Sequence, residues 1–455
     1  MSVDMDTFRG FAGQIAQLGQ MAQPVDLPDY ERVARVKAEF DEKIDQTRAT
    51  FLESCVRCGV CAEACHFFLE TGDAKYAPVR KMELLQRHYR REHSPMRWLF
   101  RLWTRDITPD DLMEWQELVY DSCTECGRCM LVCPMGIDIS DMVNVTRQAY
   151  AKAGLVPAEL TVMQQEQSES GNIFRTGPDD LKRIAAELEE EGIHVPVDKD
   201  KADYVLVTSA IELLLFKDAL RSAARVMNHL KLSWTVQSCA FEGANFGMLS
   251  GYEDVQATLT NRLVGAAISV GAKTVIIPEC GHAYPAVRWY GANALGERLP
   301  FEVLHLSEFL GREVRAGRLR LKPVDSERVV SYHDPCKVGR HGGVFDEPRA
   351  VLKALGLTHH ELPDHGVTNF CCGGGAGNFL INRAQPLRQK TFELKRRQTE
   401  SVGAEALVTA CSSCRMNFLG GADASGWDHP IESLVELVGE QLDDGLGKRA
   451  ASRVR

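Results

Sequence analysis

The spacing of apolar positions changes along the chain and indicates two kinds of structure. In residues 1–50, apolar side chains recur at helical spacing, which predicts an N-terminal helical segment. From Ala202 onward, short apolar runs alternate with longer helical stretches, a pattern typical of layered α/β structure. The clearest predicted strands are 205–207, 274–277, 329–332 and 407–410.

Composition and charge exclude several classes of protein. The chain has 455 residues, 44% hydrophobic and 25% charged, as in ordinary globular proteins. Its net charge of −10 argues against nucleic-acid binding as the main role. No stretch reaches the roughly 20 apolar residues of a membrane helix, and residues 1–20 lack the pattern of a signal peptide. We therefore expect a cytoplasmic protein whose 15 cysteines stay reduced.

Eight cysteines form two copies of the bacterial ferredoxin spacing, Cys-x-x-Cys-x-x-Cys-x-x-x-Cys. In this pattern three close thiolates hold three corners of a cubane [4Fe–4S] cluster, and the fourth cysteine reaches the other cluster. Zinc or buried structural thiols are the weaker alternative, because two complete copies are present. The second copy ends in Pro134, whereas His66 stands at that position in the first. We assign the two cubanes to Cys55, Cys58, Cys61 and Cys133, and to Cys123, Cys126, Cys129 and Cys65.

A basic and aromatic run separates the two motifs and has two interpretations. It could form a docking face for an anionic membrane surface or an acidic partner. It could instead be a solvated helix that packs its tryptophan and phenylalanine side chains on the cluster domain, which is the favoured interpretation. The run includes Arg87, Arg90, Arg91, Arg97, Trp98, Phe100, Arg101, Trp103 and Arg105.

Five further cysteines form a third group in the C-terminal half of the chain. A tetrahedral zinc takes four ligands, so five grouped thiolates indicate a larger, iron–sulfur site. The glycine-rich stretch 373–377 follows the adjacent pair and lacks the context of a nucleotide-binding loop. The group consists of Cys336, the adjacent pair Cys371 and Cys372, and the Cys-x-x-Cys pair Cys411 and Cys414.

The C-terminal half contains an internal repeat with an offset of 132 residues, seen where 269–272 matches 401–404. At this offset Cys239 corresponds to Cys371, Glu279 to Cys411 and His282 to Cys414, and Cys280 is an additional cysteine. Three interpretations of this first copy stay open. Its residues could bind a single metal such as zinc, line the substrate side of the intact cluster, or be relics with packing roles. The four residues concerned are Cys239, Glu279, Cys280 and His282.

The five-cysteine pattern resembles the CCG cysteine-rich domain. A two-cluster ferredoxin domain followed by a duplicated CCG domain is similar to the D polypeptide of heterodisulfide reductase and to the DsrK iron–sulfur protein. It is also similar to the iron–sulfur subunits of glycolate and anaerobic glycerol-phosphate dehydrogenases. The resemblance covers roughly residues 50–440 and implies that the five cysteines bind one noncubane [4Fe–4S] cluster. Since this chain has only one such set, a two-cluster disulfide mechanism cannot be carried over whole.

The predicted fold is an α+β multidomain protein, with a helical two-[4Fe–4S] ferredoxin domain followed by a duplicated α/β CCG domain. The predicted parts are an N-terminal helical segment (1–50), the ferredoxin-type domain (51–155), a linker with a charged helix (156–201), a degenerate first CCG repeat (202–325) and an intact second repeat (326–445).

The resemblance and the motifs together favour an iron–sulfur oxidoreductase subunit. Electrons would pass through the two cubanes to or from the noncubane cluster, where a disulfide is reduced or formed. The catalytic candidates are the five cysteines, with Glu279 and His282 beside them. The alternative is a pure electron relay between a flavin dehydrogenase or an electron-transfer flavoprotein and the quinone pool.

Several partners are expected for this function. On one side we expect a membrane-bound quinone or cytochrome b subunit, or a flavoprotein, and on the other a small dithiol or disulfide or a disulfide-carrying protein. Nucleic acid is not expected. The chain would work in a hetero-oligomeric complex, cytoplasmic and held peripherally at the inner face of the membrane by its partner subunits.

Overall fold

Helices are the regular elements of the described chain before residue 204. The computed structural model describes residues 3–23, 25–324 and 327–442. Helix α1 buries Phe8, Phe11, Ile15 and Leu18, the apolar residues at helical spacing in the N-terminal segment. The first three helices are α1 (Met5–Leu18), α2 (Asp29–Lys43) and α3 (Gln46–Ser54).

The region of the two ferredoxin motifs is a set of short helices joined by cysteine-bearing loops. Capping fixes several of them: Thr108 and Asp111 form a reciprocal capping box at the start of α8. The helices are α4 (His66–Thr71), α5 (Pro78–Lys81), α6 (Glu83–Glu92), α7 (Arg97–Trp103), α8 (Pro109–Gln116), α9 (Arg128–Val132) and α10 (Ile139–Lys152), followed by α11 (Ala158–Ser170) and α12 (Pro178–Glu190).

Helix α7 corrects the favoured interpretation of the basic and aromatic run. Trp98 is 69% exposed and Trp103 is 83% exposed, so neither packs on the cluster domain. Only the inner side of the helix, with Leu99 and Phe100, is partly covered. The packing interpretation was therefore wrong for both tryptophans, because the seven-residue helix has too few positions to bury three aromatic rings on one side.

A first parallel sheet follows, with the strand order β2-β1-β3-β4. Its central strand β3 is buried at every position, as a parallel strand covered by helices on both faces requires. The strands are β1 (Tyr204–Leu206), β2 (Trp234–Thr235), β3 (Thr274–Ile277) and β4 (Glu302–His305). The helices are α13 (Ala210–Leu215), α14 (Lys217–His229), α15 (Phe246–Ser250), α16 (Glu253–Ser269), α17 (Ala283–Arg288), α18 (Gly291–Leu295) and α19 (Leu306–Arg315).

A second parallel sheet repeats this arrangement, with the order β6-β5-β7-β8. Its strands are β5 (Val329–His333), β6 (Thr358–His359), β7 (Ala406–Thr409) and β8 (Ile431–Ser433). Its helices are α20 (Asp346–Ala354), α21 (Gln385–Ser401), α22 (Ser412–Ser425) and α23 (Leu434–Glu440).

The two sheets have the same strand order, and two pairs of their elements lie at the predicted offset. Helix α21 begins 132 residues after α16, and β7 begins 132 residues after β3. This match is what a duplicated unit would produce, and we keep the five-part division of the chain as a proposal. Its division at 325/326 and its end at 445 lie outside the described residues. The α+β fold class, with a helical ferredoxin region before parallel α/β sheets, is confirmed.

One hydrophobic core joins the helical region to both sheets. It runs from Phe8 in α1 through Trp115 in α8 to Leu442, and a smaller core covers the other face of the first sheet around Val275. The cysteine-bearing loops therefore belong to one packed body. None of the helices in the described residues has the length and apolarity needed to cross a membrane.

Candidate functional site

The two ferredoxin-type loops share one backbone shape. In each loop, the residue before the second cysteine and the glycine after it have φ in the left-handed region: Arg57 and Gly59 at 57° and 83°, Glu125 and Gly127 at 50° and 74°. A Cβ on Gly127 would lie 2.9 Å from His341 Nε2, so this loop also needs glycine for its close approach to the second α/β unit.

The eight ferredoxin-type cysteines line two cavities, each formed by three cysteines of one motif and the fourth of the other. This is the crossed arrangement that the bacterial ferredoxin spacing predicts. We call them the first and second cysteine groups. The first group consists of Cys55, Cys58, Cys61 and Cys133. The second group consists of Cys65, Cys123, Cys126 and Cys129.

His66 and Lys81 line the second group and were not predicted to have a role there. His66 is 2% exposed, and neither of its ring nitrogens has a hydrogen-bond partner in the described chain. Burial lowers the pKa of His66 to about 4, so the ring is neutral and keeps one N–H to donate. A buried N–H without a protein partner, facing four thiols, fits a group that presents sulfur acceptors.

Lys81 places a buried positive charge beside the same cysteines. Its Nζ lies 3.6 Å from Cys65 Sγ and donates to the carbonyl of Ser122. Burial acts to lower the pKa of Lys81, but the surrounding thiolates, led by Cys65, outweigh it and the pKa is raised. The amine therefore stays charged and offsets the negative charge of this group.

Replacing Lys81 by methionine should lower the reduction potential of the second group by about 60 mV or more, the equivalent of a tenfold change in a one-electron equilibrium. Removing a nearby positive charge makes an added electron less stable. The potential is measured by an anaerobic redox titration followed by electron paramagnetic resonance (EPR). Lys182→Met, at an exposed lysine paired with Asp198, is the control. An unchanged potential in Lys81→Met would rule out this charge effect.

Two members of the five-cysteine group, Cys336 and Cys411, lie at the carboxyl ends of strands of the second sheet, Cys414 lies in the first turn of α22, and Cys371 and Cys372 lie in a loop. Cys336 follows β5, and Cys411 lies between β7 and α22. Binding sites in parallel sheets usually lie at these strand ends. All five side chains are buried, and Cys336 Sγ lies 3.9 Å from Cys371 Sγ. A ring nitrogen of His333 lies within 4.8 Å of the sulfurs of Cys372 and Cys414.

Backbone N–H groups converge on these sulfurs. Gly281 N donates to Cys411 Sγ at 3.4 Å, Gly373 N to Cys371 Sγ at 3.5 Å, and Gly374 N to Cys372 Sγ at 3.4 Å. His333 Nε2 is buried and has no hydrogen-bond partner among the described residues. Five thiols, aligned N–H donors and an orphaned imidazole nitrogen fit an iron–sulfur cluster.

The second cysteine group touches the five-cysteine group. The Cys126 thiol contacts the Cys371 thiol, and this contact lowers the pKa of Cys126 well below its usual range. The Cys126 carbonyl accepts hydrogen bonds from Arg340 Nη1 at 2.6 Å and His341 Nε2 at 3.1 Å. Residues beside Cys336 therefore hold the ferredoxin-type loop against the second α/β unit.

Arg147 joins three parts of the structure at this contact. It is fully buried and donates to the carbonyls of Val119 and Cys123 in the ferredoxin-type region. It also donates to Leu249 O at 2.9 Å in the first α/β unit and to Ala376 O at 2.8 Å beside the adjacent cysteine pair.

Three of the four predicted first-repeat residues pack against the five-cysteine group, and one does not. Glu279 O accepts from Ser412 N at 2.5 Å, and burial raises the pKa of its carboxyl to about 8. His282 Nε2 accepts from Ala376 N at 2.8 Å, and burial lowers its pKa to about 4. Cys280 is buried in the same segment, whereas Cys239 is exposed in another loop.

This geometry corrects the single-metal interpretation of the first repeat. Within the described residues, no three of Cys239, Glu279, Cys280 and His282 bring ligand atoms within 4.8 Å of one another. The Glu279 carboxylate instead accepts from Ser433 Oγ at 2.6 Å and Val435 N at 2.9 Å. Zinc is unsupported here, because the Glu279 carboxylate and the His282 ring accept hydrogen bonds from the second repeat and Cys239 is exposed elsewhere.

Glu212 is a buried acid beside the Cys411–Cys414 segment that sequence reasoning did not select. Ser412 Oγ donates to its Oε1 at 3.4 Å and Thr208 Oγ1 to its Oε2 at 2.9 Å. Burial raises the pKa of Glu212 from 4.5 to about 8, so it is protonated at neutral pH. In the sequence, the only indication that Glu212 is buried is its position inside an apolar stretch.

Glu212→Gln should make the stability of the protein depend less on pH. Between pH 4.5 and about 8 the folded state keeps a proton that the unfolded chain releases, so the free energy of unfolding falls as pH rises. In the variant, the slope of the free energy of unfolding against pH should be smaller by up to about 1.4 kcal/mol per pH unit. Urea unfolding at several pH values measures it, with exposed Glu187→Gln as control. Equal slopes in the variant and the wild type would contradict the assignment.

Comparison with known proteins identifies both cysteine-rich regions. Residues 51–137 match the family model of the 4Fe-4S dicluster domain, and residues 330–419 match that of the cysteine-rich domain called CCG. The two models cover the first and second cysteine groups and the five-cysteine group. Iron–sulfur clusters are therefore the cofactors of this chain.

The chain is similar to named oxidoreductase subunits over most of its length. It is 27% identical to the Hdr-like menaquinol oxidoreductase iron-sulfur subunit 2 of Archaeoglobus fulgidus, over 86% of this chain and 80% of the relative. It is 28% identical to the D polypeptide of the dihydromethanophenazine:CoB–CoM heterodisulfide reductase of Methanosarcina barkeri, over 86% of this chain and 94% of the relative.

A third relative is a different kind of oxidoreductase. The chain is 26% identical to the EtfAB:quinone oxidoreductase of Syntrophomonas wolfei, over 82% of this chain but 56% of the relative. The domain order and the relatives agree with the resemblance seen in the sequence. This protein is an iron–sulfur protein in which a 4Fe-4S dicluster domain precedes a CCG domain, and it is similar to iron–sulfur subunits of oxidoreductases, among them the D polypeptide of heterodisulfide reductase.

Proposed function

We propose that the protein transfers electrons between a redox partner at its first cysteine group and a disulfide or dithiol at its five-cysteine group. The first and second groups would each hold a cubane [4Fe–4S] cluster, and the five-cysteine group a noncubane one. When bound, such clusters supply one-electron transfer. The observation that carries the proposal is the packing of the Cys126 loop against the unit that holds the five-cysteine group. Arg340 Nη1 and His341 Nε2 donate to Cys126 O at 2.6 Å and 3.1 Å, and a Cβ on Gly375 would lie 3.2 Å from Thr124.

The first cysteine group is exposed and the five-cysteine group is buried, so the proposed electron path runs from the protein surface to its interior. Cys58 is exposed in the first group, and Val56 beside it is 80% exposed. The five-cysteine group is buried at the other end. A partner protein can therefore approach the first group closely, while the α/β units exclude water from the last.

Reduction of a disulfide to two thiols needs two electrons and two protons, so the buried site also needs proton donors. Glu212 holds a proton at neutral pH, and its carboxyl group is hydrogen-bonded to Ser412 Oγ within the Cys411–Cys414 segment. The His282 ring is neutral and fixes the loop after the adjacent cysteine pair through Ala376 N. In this proposal Glu212 supplies protons and His282 positions the cysteine loop.

The partner at the exposed end is proposed to be a membrane quinone or cytochrome b subunit. This is supported by two relatives, one named as part of a menaquinol oxidoreductase and one as part of a dihydromethanophenazine-dependent reductase. The chain would then sit peripherally at the membrane within a hetero-oligomeric complex.

A pure electron relay is the second candidate. It is favoured by the similarity to an EtfAB:quinone oxidoreductase, although the chain covers only 56% of that relative. In this case an electron-transfer flavoprotein would replace the disulfide as the second partner, and the five-cysteine group would have no substrate.

Anaerobic titration with a disulfide or a dithiol, followed by EPR, separates the two candidates. The reductase proposal expects a paramagnetic signal that the disulfide induces and that Cys372→Ser abolishes. Cys239→Ser is the matched control, because Cys239 is exposed and outside all three groups. A five-cysteine signal that no thiol compound perturbs would exclude disulfide chemistry and leave the relay.

A further inference from the structure

Helix α7 presents a surface that the electron-transfer function does not use. On α7 and the residues that flank it, the exposed apolar residues are Met96, Trp98, Leu102 and Trp103, and the exposed basic residues are Arg97, Arg101 and Arg105. We call this set the α7 surface. Leu102 is 75% exposed, so these apolar side chains do not pack within the chain. Exposed apolar groups clustered in this way mark a surface that something else covers.

The helix is firmly attached to the body, so the exposure is a property of the fold. Arg91 Nη1 on α6 donates to the carbonyl of Thr104, and Arg101 Nε donates back to Arg91 O at 3.1 Å. The Arg90 guanidinium lies 5.6 Å from the centre of the Phe100 ring. These contacts hold the inner side of α7 against α6, and both tryptophan side chains face the solvent.

The charge of this region is opposite to that of the chain. Residues 85–105 contain six arginines and one glutamate, whereas the whole chain has a net charge of −10. Arg87 is buried, while Arg101 and Arg105 pair with Glu92 and Asp111 and still stay 52% and 65% exposed. Arginine beside exposed tryptophan and leucine is the composition that binds an anionic bilayer surface, because the indole rings enter the headgroup region and the guanidinium groups meet lipid phosphates.

We propose that the α7 surface docks the protein directly on an anionic lipid bilayer. The proposal goes beyond the electron-transfer function and does not depend on it. It has a consequence for that function, because α6 links the surface to the first cysteine group. Gln86 on α6 donates to Leu52 O at 2.9 Å and accepts from Arg57 Nε at 3.0 Å, next to Cys55 and Cys58.

Flotation of the cluster-loaded protein with lipid vesicles tests the proposal. The wild type should float with vesicles of equal phosphatidylglycerol and phosphatidylcholine, and at least tenfold less with pure phosphatidylcholine or at high salt. Trp98→Ala combined with Trp103→Ala should weaken binding at least tenfold. Trp289→Ala, at a half-exposed tryptophan after α17, should have no effect.

Iron content and circular dichroism of each variant report whether it folds. A folded double variant that binds anionic vesicles as the wild type does would overturn the proposal, as would a wild type that does not bind them. If vesicles are not bound but the double variant loses affinity for a purified membrane subunit, the surface is a protein interface and lipid docking is wrong. Neither result changes the redox titrations, so failure here is separate from failure of the proposed function.

Discussion

Arg147→Met is expected to destabilise the protein by more than about 3 kcal/mol, since each buried acceptor that loses its donor costs about 1–3 kcal/mol. Arg147 donates to four carbonyls in three parts of the structure, those of Val119, Cys123, Leu249 and Ala376. Methionine fills most of the space but donates no hydrogen bond. Urea unfolding followed by circular dichroism under anaerobic conditions measures the loss.

An exposed arginine provides the control for this prediction. Arg183 on α12 pairs with Asp180 and Glu187 at the surface, and Arg183→Met should change stability by less than about 1 kcal/mol. If Arg147→Met is as stable as Arg183→Met, the arginine does not join the three parts.

Cys133→Ser should remove the first cluster and leave the second, although Cys133 belongs to the second sequence motif. The structure places its side chain in the cavity of Cys55, Cys58 and Cys61. About four of about twelve iron atoms per chain should be lost, as expected for one of three four-iron clusters. Iron analysis and EPR of the purified variant measure this.

Lys81 identifies which cluster is lost. In a Cys133→Ser background, Lys81→Met should still shift a potential, because Lys81 lines the second group. In a Cys65→Ser background the shift should disappear. The opposite pattern would show that each motif holds its own cluster and would contradict the crossed arrangement.

The sequence predicted the parts of the fold that depend on local pattern. The four predicted strands are the two central strands of each sheet, β1 and β3, and β5 and β7, where burial on both faces produces continuous apolar runs. The outer strands β2 and β6 have only two residues each, too few to produce a pattern. Cysteine spacing predicted the members of each group because ligand geometry constrains sequence distance.

Long-range contacts explain what the sequence could not predict. Lys81 lies near Cys129 and Cys123, Arg147 near Ala376, and Glu212 near Ser412, and no local pattern encodes such pairs. The outward tryptophans of α7 were missed for a related reason. Whether an aromatic residue packs inward depends on the neighbouring helix, here α6, where the Arg90 guanidinium lies over the Phe100 ring.

Iron and acid-labile sulfide analysis of the anaerobically purified wild type, with EPR-monitored redox titration, tests the central claim most directly. Three cysteine groups that hold three four-iron clusters predict about twelve iron atoms per chain and three separate redox-active signals. A value near eight, with signals from two cubanes alone, would contradict the claim that the five-cysteine group holds a cluster at the end of the electron path.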